Sequence, residues 1–305
     1  MTAASVPADP HAEIRAGFLA ALVANISWGL LPIYLKLVGF APPMEILAQR
    51  ILWCVPAAFV GVLIMSGWSK GLIDLRAAMR PAILGALALS AVFIFGNWGL
   101  YVWAVATDRV MEAAMAYFIA PMVQVGLGVL LFGERMSRLQ WGALAFAALG
   151  VSAQGAALGA MPWVALLMCA SWCAYGVMRK RIVVPAAVGL FVESVLLIPA
   201  AIVLLMMVGP ALAYDDRPAN IWLLALAGPV TAIPLTLFSF GARRIKFSTI
   251  GLLQFLPPSL QFLLGLYWGE PLNTLRIVSF ALIWVGLVFF VWDMWRRERL
   301  AAKPA

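Results

Sequence analysis

Ten runs of about twenty apolar residues, the length that spans a bilayer as a helix, succeed one another along this chain. They cover 17–38, 44–65, 82–104, 110–132 and 139–158, then 162–178, 188–208, 221–241, 247–268 and 277–295. Each is too long and too uniformly apolar for a strand. A helix satisfies its own backbone hydrogen bonds, as hydrocarbon demands. Burial in a soluble core fails on composition. Of the 305 residues, 65% are hydrophobic and 11% charged, against roughly 45–50% and 25% in soluble domains. A globule of this length has too little interior for so much apolar surface. The sequence predicts an all-α integral membrane protein of ten transmembrane helices, with the lipid bilayer as solvent. Trp68, Trp141, Trp163, Trp222, Trp268 and Trp295 fall near run ends, which suits interfacial belts.

The net charge of +8 would point to nucleic acid in a soluble protein. Here the basic residues sort by loop. With the N-terminus inside, cytoplasmic segments carry sixteen of the twenty-one, in groups such as Lys70/Arg76/Arg80, Arg179/Lys180/Arg181, Arg243/Arg244/Lys246 and Arg296/Arg297/Arg299/Lys303. The opposite side carries Arg109, Arg217 and Arg276. This bias predicts a multi-pass protein of a bacterial inner membrane with both termini cytoplasmic and no nucleic-acid partner. It also checks the count, because removing one span would scramble every later loop. No basic leader with a cleavage site precedes the first run, so no cleaved signal peptide is expected.

The two halves echo each other. Phe118, Pro121, Gln124 and Gly128 return as Phe255, Pro258, Gln261 and Gly265 at an offset of 137. Gly133-Glu134, Leu139 and Gly150 return as Gly269-Glu270, Leu275 and Gly286 at 136. Ser27-Trp28 with Lys36 return as Ser171-Trp172 with Lys180 at 144. The expected organisation is a tail (1–16), a five-helix repeat (17–158), a second repeat (159–295) and a tail (296–305). Five is odd, so the second repeat runs inverted in the membrane. Inverted repeats belong to secondary carriers, which bind substrate near the midplane.

Several stretches resemble the RarD family of EamA-type drug/metabolite transporters. They are Asn25 to Lys36 (NISWGLLPIYLK), Glu45 to Trp53 (EILAQRILW), Asn97-Trp98 with Tyr101 and Trp103, Tyr117-Phe118-Ile119 with Pro121, and Gly133-Glu134-Arg135 with Gln140-Trp141. The resemblance spans nearly the whole chain and is strongest in its first half. It implies a ten-helix inner-membrane permease. One departure falls in the fourth run, where Ala113-Ala114-Met115-Ala116 and Ala120-Pro121 stand in place of a small-polar, Asn-Pro pattern.

Polar groups inside apolar runs are the candidates for function, since a central charge costs about 2.5–3.5 kcal/mol on insertion scales. Lys36, Glu45, Arg50 and Glu193 are candidate gating or coupling charges. Lys36 and Glu45 fit snorkelling to the headgroups equally well. Arg50 is deeper and is expected in an ion pair. Glu193 has Arg179, Lys180 or Arg181 as candidate partners. Helical spacing puts Tyr117, Pro121, Gln124 and Gly128 on one face, and Gln254, Pro258, Gln261 and Gly265 on another. Asn25 and Trp28, Asn97 and Tyr101, and Trp172 and Tyr175 share faces likewise. One reading makes Asn25, Trp28, Asn97, Tyr101, Tyr117, Gln124, Trp172, Tyr175, Gln254 and Gln261 the lining of a substrate cavity; the other makes them interhelical packing. Pro32, Pro121 and Pro258 are candidate hinges.

The residues exclude other chemistry. His11 is the one histidine and lies in the tail, so a histidine triad or His-ligated metal site is not expected. Cys54, Cys169 and Cys173 sit in apolar runs as small fillers. No nucleotide-binding glycine pattern is present. The expectation is no enzyme, cofactor or metal, but a gradient-driven permease for a small organic metabolite or drug, with protons as a candidate co-substrate. The alternatives are a channel-like pore, for which a charge ring or carbonyl filter is missing, and a membrane sensor.

Overall fold

The computed structural model describes residues 10–107, 109–156, 161–208, 220–269 and 274–301. Arg217, Glu270 and Lys303, named above, lie outside these residues. Every described element is a helix. α1 is Pro10–Leu37, α2 Pro43–Ala78, α3 Pro81–Ala106, α4 Val110–Phe132, α5 Arg138–Ala156 and α6 Trp163–Arg181. α7 is Ala186–Leu196, α8 Ile198–Val208, α9 Asn220–Ala225, α10 Ala227–Ala242, α11 Phe247–Leu253, α12 Leu256–Tyr267 and α13 Thr274–Ala301. Among the described residues, six helices are long and apolar enough to cross a bilayer, or seven if the pair α7 and α8, bent by 46°, counts as one.

Punctuation follows local chemistry. Pro43 and Pro81 open α2 and α3, where a missing N–H costs nothing. Gly133 (φ 61°) and Gly269 (φ 79°) end α4 and the segment after α12 in the left-handed conformation, which glycine adopts without strain. Gly67 (φ 71°) kinks α2. Beyond it, residues 68–78 carry exposed Trp68 and Ile73 beside Lys70 and Arg76.

The expected runs and the helices differ at several places: α1 begins at Pro10 and α13 runs to Ala301, inside the segments expected as tails, and the eighth run is interrupted at Leu226, between α9 and α10. The second run extends as helix through Gly67 to Ala78. The seventh is the bent pair α7–α8. The ninth breaks at Gln254-Phe255, between α11 and α12; Pro257 and Pro258 occupy the first turn of α12 and cannot donate to the preceding turn. α1 and α4 stay helical through Pro32 and Pro121.

The major packed pairs are α5 with α13, α1 with α10, α3 with α6, α4 with α11, α4 with α6, α1 with α12, and α2 with both α7 and α10. Small residues allow the closest approaches, as lipid-embedded helices require. A Cβ on Gly150 would lie 2.7 Å from the Ser279 carbonyl oxygen, and one on Gly286 would lie 2.6 Å from that of Ala143.

Candidate functional site

Two polar clusters sit in the bundle, a buried one on Arg179 and a partly buried one on Arg50. The first is built on Arg179, in the last turn of α6. Its Nη1 lies 3.2 Å from Glu193 Oε1, with both side chains 2% exposed. Nε donates to Ser239 Oγ at 2.9 Å and Nη2 to the Ala186 carbonyl at 2.9 Å. Two elements beyond α6, α7 and α10, thus meet on one guanidinium. Gly189 makes room for it, since a Cβ there would fall 2.2 Å from Nη1. Of the three basic candidates, Arg179 is therefore the partner of Glu193. Lys180 instead donates to the carbonyls of Ala242 (3.0 Å) and Ile245 (2.7 Å) and lies 3.9 Å from Glu134. Arg243 donates to the Val184 carbonyl. Glu134 accepts from the backbone N–H groups of Phe247 (2.6 Å) and Ser248 (2.8 Å), capping the N-terminus of α11. This end of the molecule is tied together by charge-assisted hydrogen bonds.

The second cluster is built on Arg50 of α2. Nε donates to Thr231 Oγ1 of α10 at 3.1 Å, and the guanidinium lies over the Trp98 ring at 4.7 Å. The ionisable groups around it are Tyr34, Tyr101, Tyr117 and Cys54, with no carboxylate among them. The ion pair expected of Arg50 is not formed with any described carboxylate. Tyr117 is 45% exposed. Tyr34 donates to the Leu223 carbonyl at 3.0 Å. Glu45 is fully buried at the start of α2, and Lys36 stands 3.3 Å over the Trp268 ring.

Between the clusters lies a cavity of about 10 Å³, bounded by Ile51, Cys54, Ile94, Trp98, Leu190 and Glu193 among others. That is the space of a single water. Trp28, Trp172, Tyr175 and Phe238 fill the neighbouring core, with Trp28 edge-on to Trp172 at 5.3 Å and Trp172 stacked on Tyr175 at 5.7 Å. Trp172 Nε1 donates to Gln254 Oε1 at 3.1 Å, and Gln261 Nε2 to the Trp28 carbonyl at 3.2 Å. Asn97 is spent on α6, donating to the Met168 carbonyl (2.8 Å) and Ser171 Oγ (3.2 Å). Asn25 donates to Ala21 of its own helix at 2.7 Å. Gln124 is fully buried with both amide atoms unpaired.

The residues proposed from sequence as a cavity lining thus divide. Trp28, Trp172, Tyr175, Gln254 and Gln261 meet in one aromatic-amide core. Tyr101 and Tyr117 lie within electrostatic reach of Arg50. Asn25 and Asn97 bond to backbone. Sequence reasoning missed Thr231, Trp98, Ser239 and Gly189. A threonine, serine or glycine in a membrane helix signals nothing until its neighbour is known.

Residues 15–153 match the EamA-like transporter family. An uncharacterized transporter of Pseudomonas aeruginosa is 40% identical over 302 residues, covering 96% of this chain and 99% of that one. Protein RarD of Escherichia coli is 38% identical over 298 residues, with 95% and 99% covered. A protein of Pseudomonas aeruginosa named chloramphenicol-sensitive protein RarD is 28% identical over 294 residues, with 94% and 97% covered. A protein of known crystal structure shares the fold at a TM-score of 0.70 and 19% identity, over 90% of this chain and 96% of its own. This chain is a multi-pass membrane protein that belongs to the RarD family of EamA-like transporters.

Proposed function

We propose that the chain is a secondary carrier for a small organic compound. It works by alternating access between two inverted five-helix repeats, with both termini cytoplasmic. The observation that carries this reading is the pattern of helix pairing. Label the spans 1 to 10, with α7–α8, α9–α10 and α11–α12 as spans 7, 8 and 9. Exchange each span with the one five places away. The pairs 5·10, 4·9 and 2·7 map onto themselves, 1·8 onto 3·6, 1·9 onto 4·6, and 2·8 onto 3·7.

Side chains repeat the exchange. The Gly150–Ser279 and Gly286–Ala143 approaches are reciprocal at offset 136. Lys180 lies 5.2 Å from the Phe132 ring as Lys36 lies over Trp268, and residues 132 and 268 are again 136 apart. A bundle whose halves make equivalent contacts has two arrangements of similar energy. One is open on each side, as a carrier requires.

In the arrangement seen, the Arg179–Glu193–Ser239 cluster and the Lys180–Glu134 contacts close one end. Under the positive-inside assignment that end is cytoplasmic. Pro258, at the break before α12, and Pro32 and Pro121 are the proposed hinges, and Glu193 is the proposed coupling carboxylate. The test is counterflow in proteoliposomes loaded with a panel of labelled small metabolites, neutral and charged. A carrier gives saturable uptake accelerated by unlabelled solute on the far side. Uptake that never saturates and shows no acceleration would indicate a pore and sink the proposal.

A further inference from the structure

Arg50 of α2 has no counter-ion among the described residues. Of its three guanidinium nitrogens, only Nε is engaged, on Thr231. Nη1 and Nη2 donate to no described group, and no described carboxylate lies within ion-pair distance. Two other cations in the bundle are used otherwise: Arg179 is matched to Glu193, and Lys180 is occupied by two carbonyls. Arg50 lies seven residues into α2, roughly 10 Å along its axis at 1.5 Å per residue. Its partner Thr231 lies eleven residues into the span that starts at Asn220, roughly 16 Å along by the same measure.

We propose that Arg50 is the anchor for the carboxylate of the transported compound, so that the substrate class is a small organic anion with a flat, apolar body. Two free N–H groups on one planar guanidinium match the two oxygens of a carboxylate in a fork. The group is pre-oriented by the Thr231 bond and by the Trp98 face. Tyr101 and Tyr117 lie close enough to interact electrostatically with the guanidinium and are the hydroxyl donors proposed to flank the bound anion; Tyr117 is 45% exposed. Glu193 is kept from the guanidinium by its pairing to Arg179, so the anion meets no competing carboxylate. The proposal rests on the carrier reading above for the word transported, but binding at Arg50 is measured separately.

The experiment uses the purified full chain in detergent and in liposomes. The probes are benzoate and phenylacetate, their neutral amides, inorganic phosphate, and the anionic lipid phosphatidylglycerol. At about 1 mM, the upper end of usual KM values, the carboxylates are expected to raise the melting temperature and the amides are not. Arg50→Gln is expected to weaken carboxylate binding at least about tenfold, the scale of a hydrogen bond to a charged group. Arg50→Lys, which keeps the charge and loses the fork, falls between. Tyr117→Phe provides a variant at an exposed position whose folding is not at risk; it weakens carboxylate binding several-fold while keeping the preference over amides.

Equal stabilisation by carboxylate and amide overturns the proposal. So does carboxylate stabilisation that survives Arg50→Gln. An Arg50-dependent response to phosphatidylglycerol or phosphate without one to carboxylates assigns the site to a lipid headgroup or inorganic anion, and also overturns it. Carboxylate binding that depends on Arg50 but gives no counterflow leaves the anion site standing and removes the carrier. Counterflow of amides unaffected by Arg50→Gln does the reverse.

Discussion

At the scale of single residues, two arginines show how differently a bundle can house a guanidinium. Arg179 is closed on all sides, with a carboxylate, a hydroxyl and a carbonyl as partners. Removing one member of such a pair leaves an uncompensated buried charge, which costs about 3–5 kcal/mol, whereas apolar replacement of both is close to neutral. Glu193→Ala is therefore expected to lower the melting temperature sharply in detergent, and Arg179→Met with Glu193→Leu to recover most of the loss. A double variant as unstable as the single one would show that the cluster acts through something other than charge matching. Gly189→Ala tests the same site from its empty side. Its methyl would meet Arg179 Nη1, so it should cost markedly less in an Arg179→Met background than in the wild type. Glu193 was legible in the sequence as an isolated carboxylate in an apolar run, and its partner as one of three consecutive cations. Which of the three pairs with it was not legible, because that depends on a serine from α10 and a glycine from α7. Arg50 was legible as deep but was expected to be paired. A sequence displays every nearby charge and cannot show that Glu193 is taken.

At the scale of elements, hydropathy located the helices well because a lipid solvent leaves the backbone one option. The breaks at Leu197 and Gln254 were not visible, since apolar residues read alike on either side of a bend. The glycines carry the information on close packing that hydropathy lacks. Gly150 and Gly286 each bring a backbone carbonyl of the partner helix to within 2.7 Å of a would-be Cβ. Gly150→Val and Gly286→Val should each force α5 and α13 apart and cost about 1–3 kcal/mol, the usual scale of overpacking. Their melting-temperature losses should resemble each other. A large loss from one and none from the other would contradict the reciprocity of the crossing. Glu134 is the second test at this scale. Its carboxylate receives two N–H groups at the start of α11, where the helix dipole favours negative charge. Glu134→Ala should cost about 1 kcal/mol, as loss of an N-cap does, and the amides of Phe247 and Ser248 should exchange with deuterium faster than those further along α11. Unchanged exchange would mean that the cap is replaced by another group.

At the scale of the whole molecule, the proposed inverted repeat accounts for the motifs matched at offsets 136, 137 and 144. The offset grows towards the earlier spans because the loops between them differ in length. What the sequence left open is which end is closed, since both arrangements use the same residues. That question has a decisive measurement. Val183 is 87% exposed at the Arg179 end and Tyr117 is 45% exposed near Arg50, while Cys54, Cys169 and Cys173 are buried and give a quiet background for thiol labelling. With the cytoplasmic side at Arg179, an impermeant maleimide added to intact cells should modify Tyr117→Cys and not Val183→Cys, and inverted vesicles should show the opposite. Labelling of Val183→Cys from outside would reverse the orientation. Alternation then adds a coupling between the ends. If opening one side closes the other, Glu193→Gln, which weakens the lock at Arg179, must shift the population away from the state that exposes residue 117. A coupling of about 1–3 kcal/mol changes the balance roughly 5- to 150-fold, so labelling of Tyr117→Cys from outside should slow at least about fivefold in the Glu193→Gln background. The two sites share no contact, and only a two-state bundle links them. An unchanged labelling rate with the protein still folded would mean that the two ends move independently, and the alternating-access reading would fall with it.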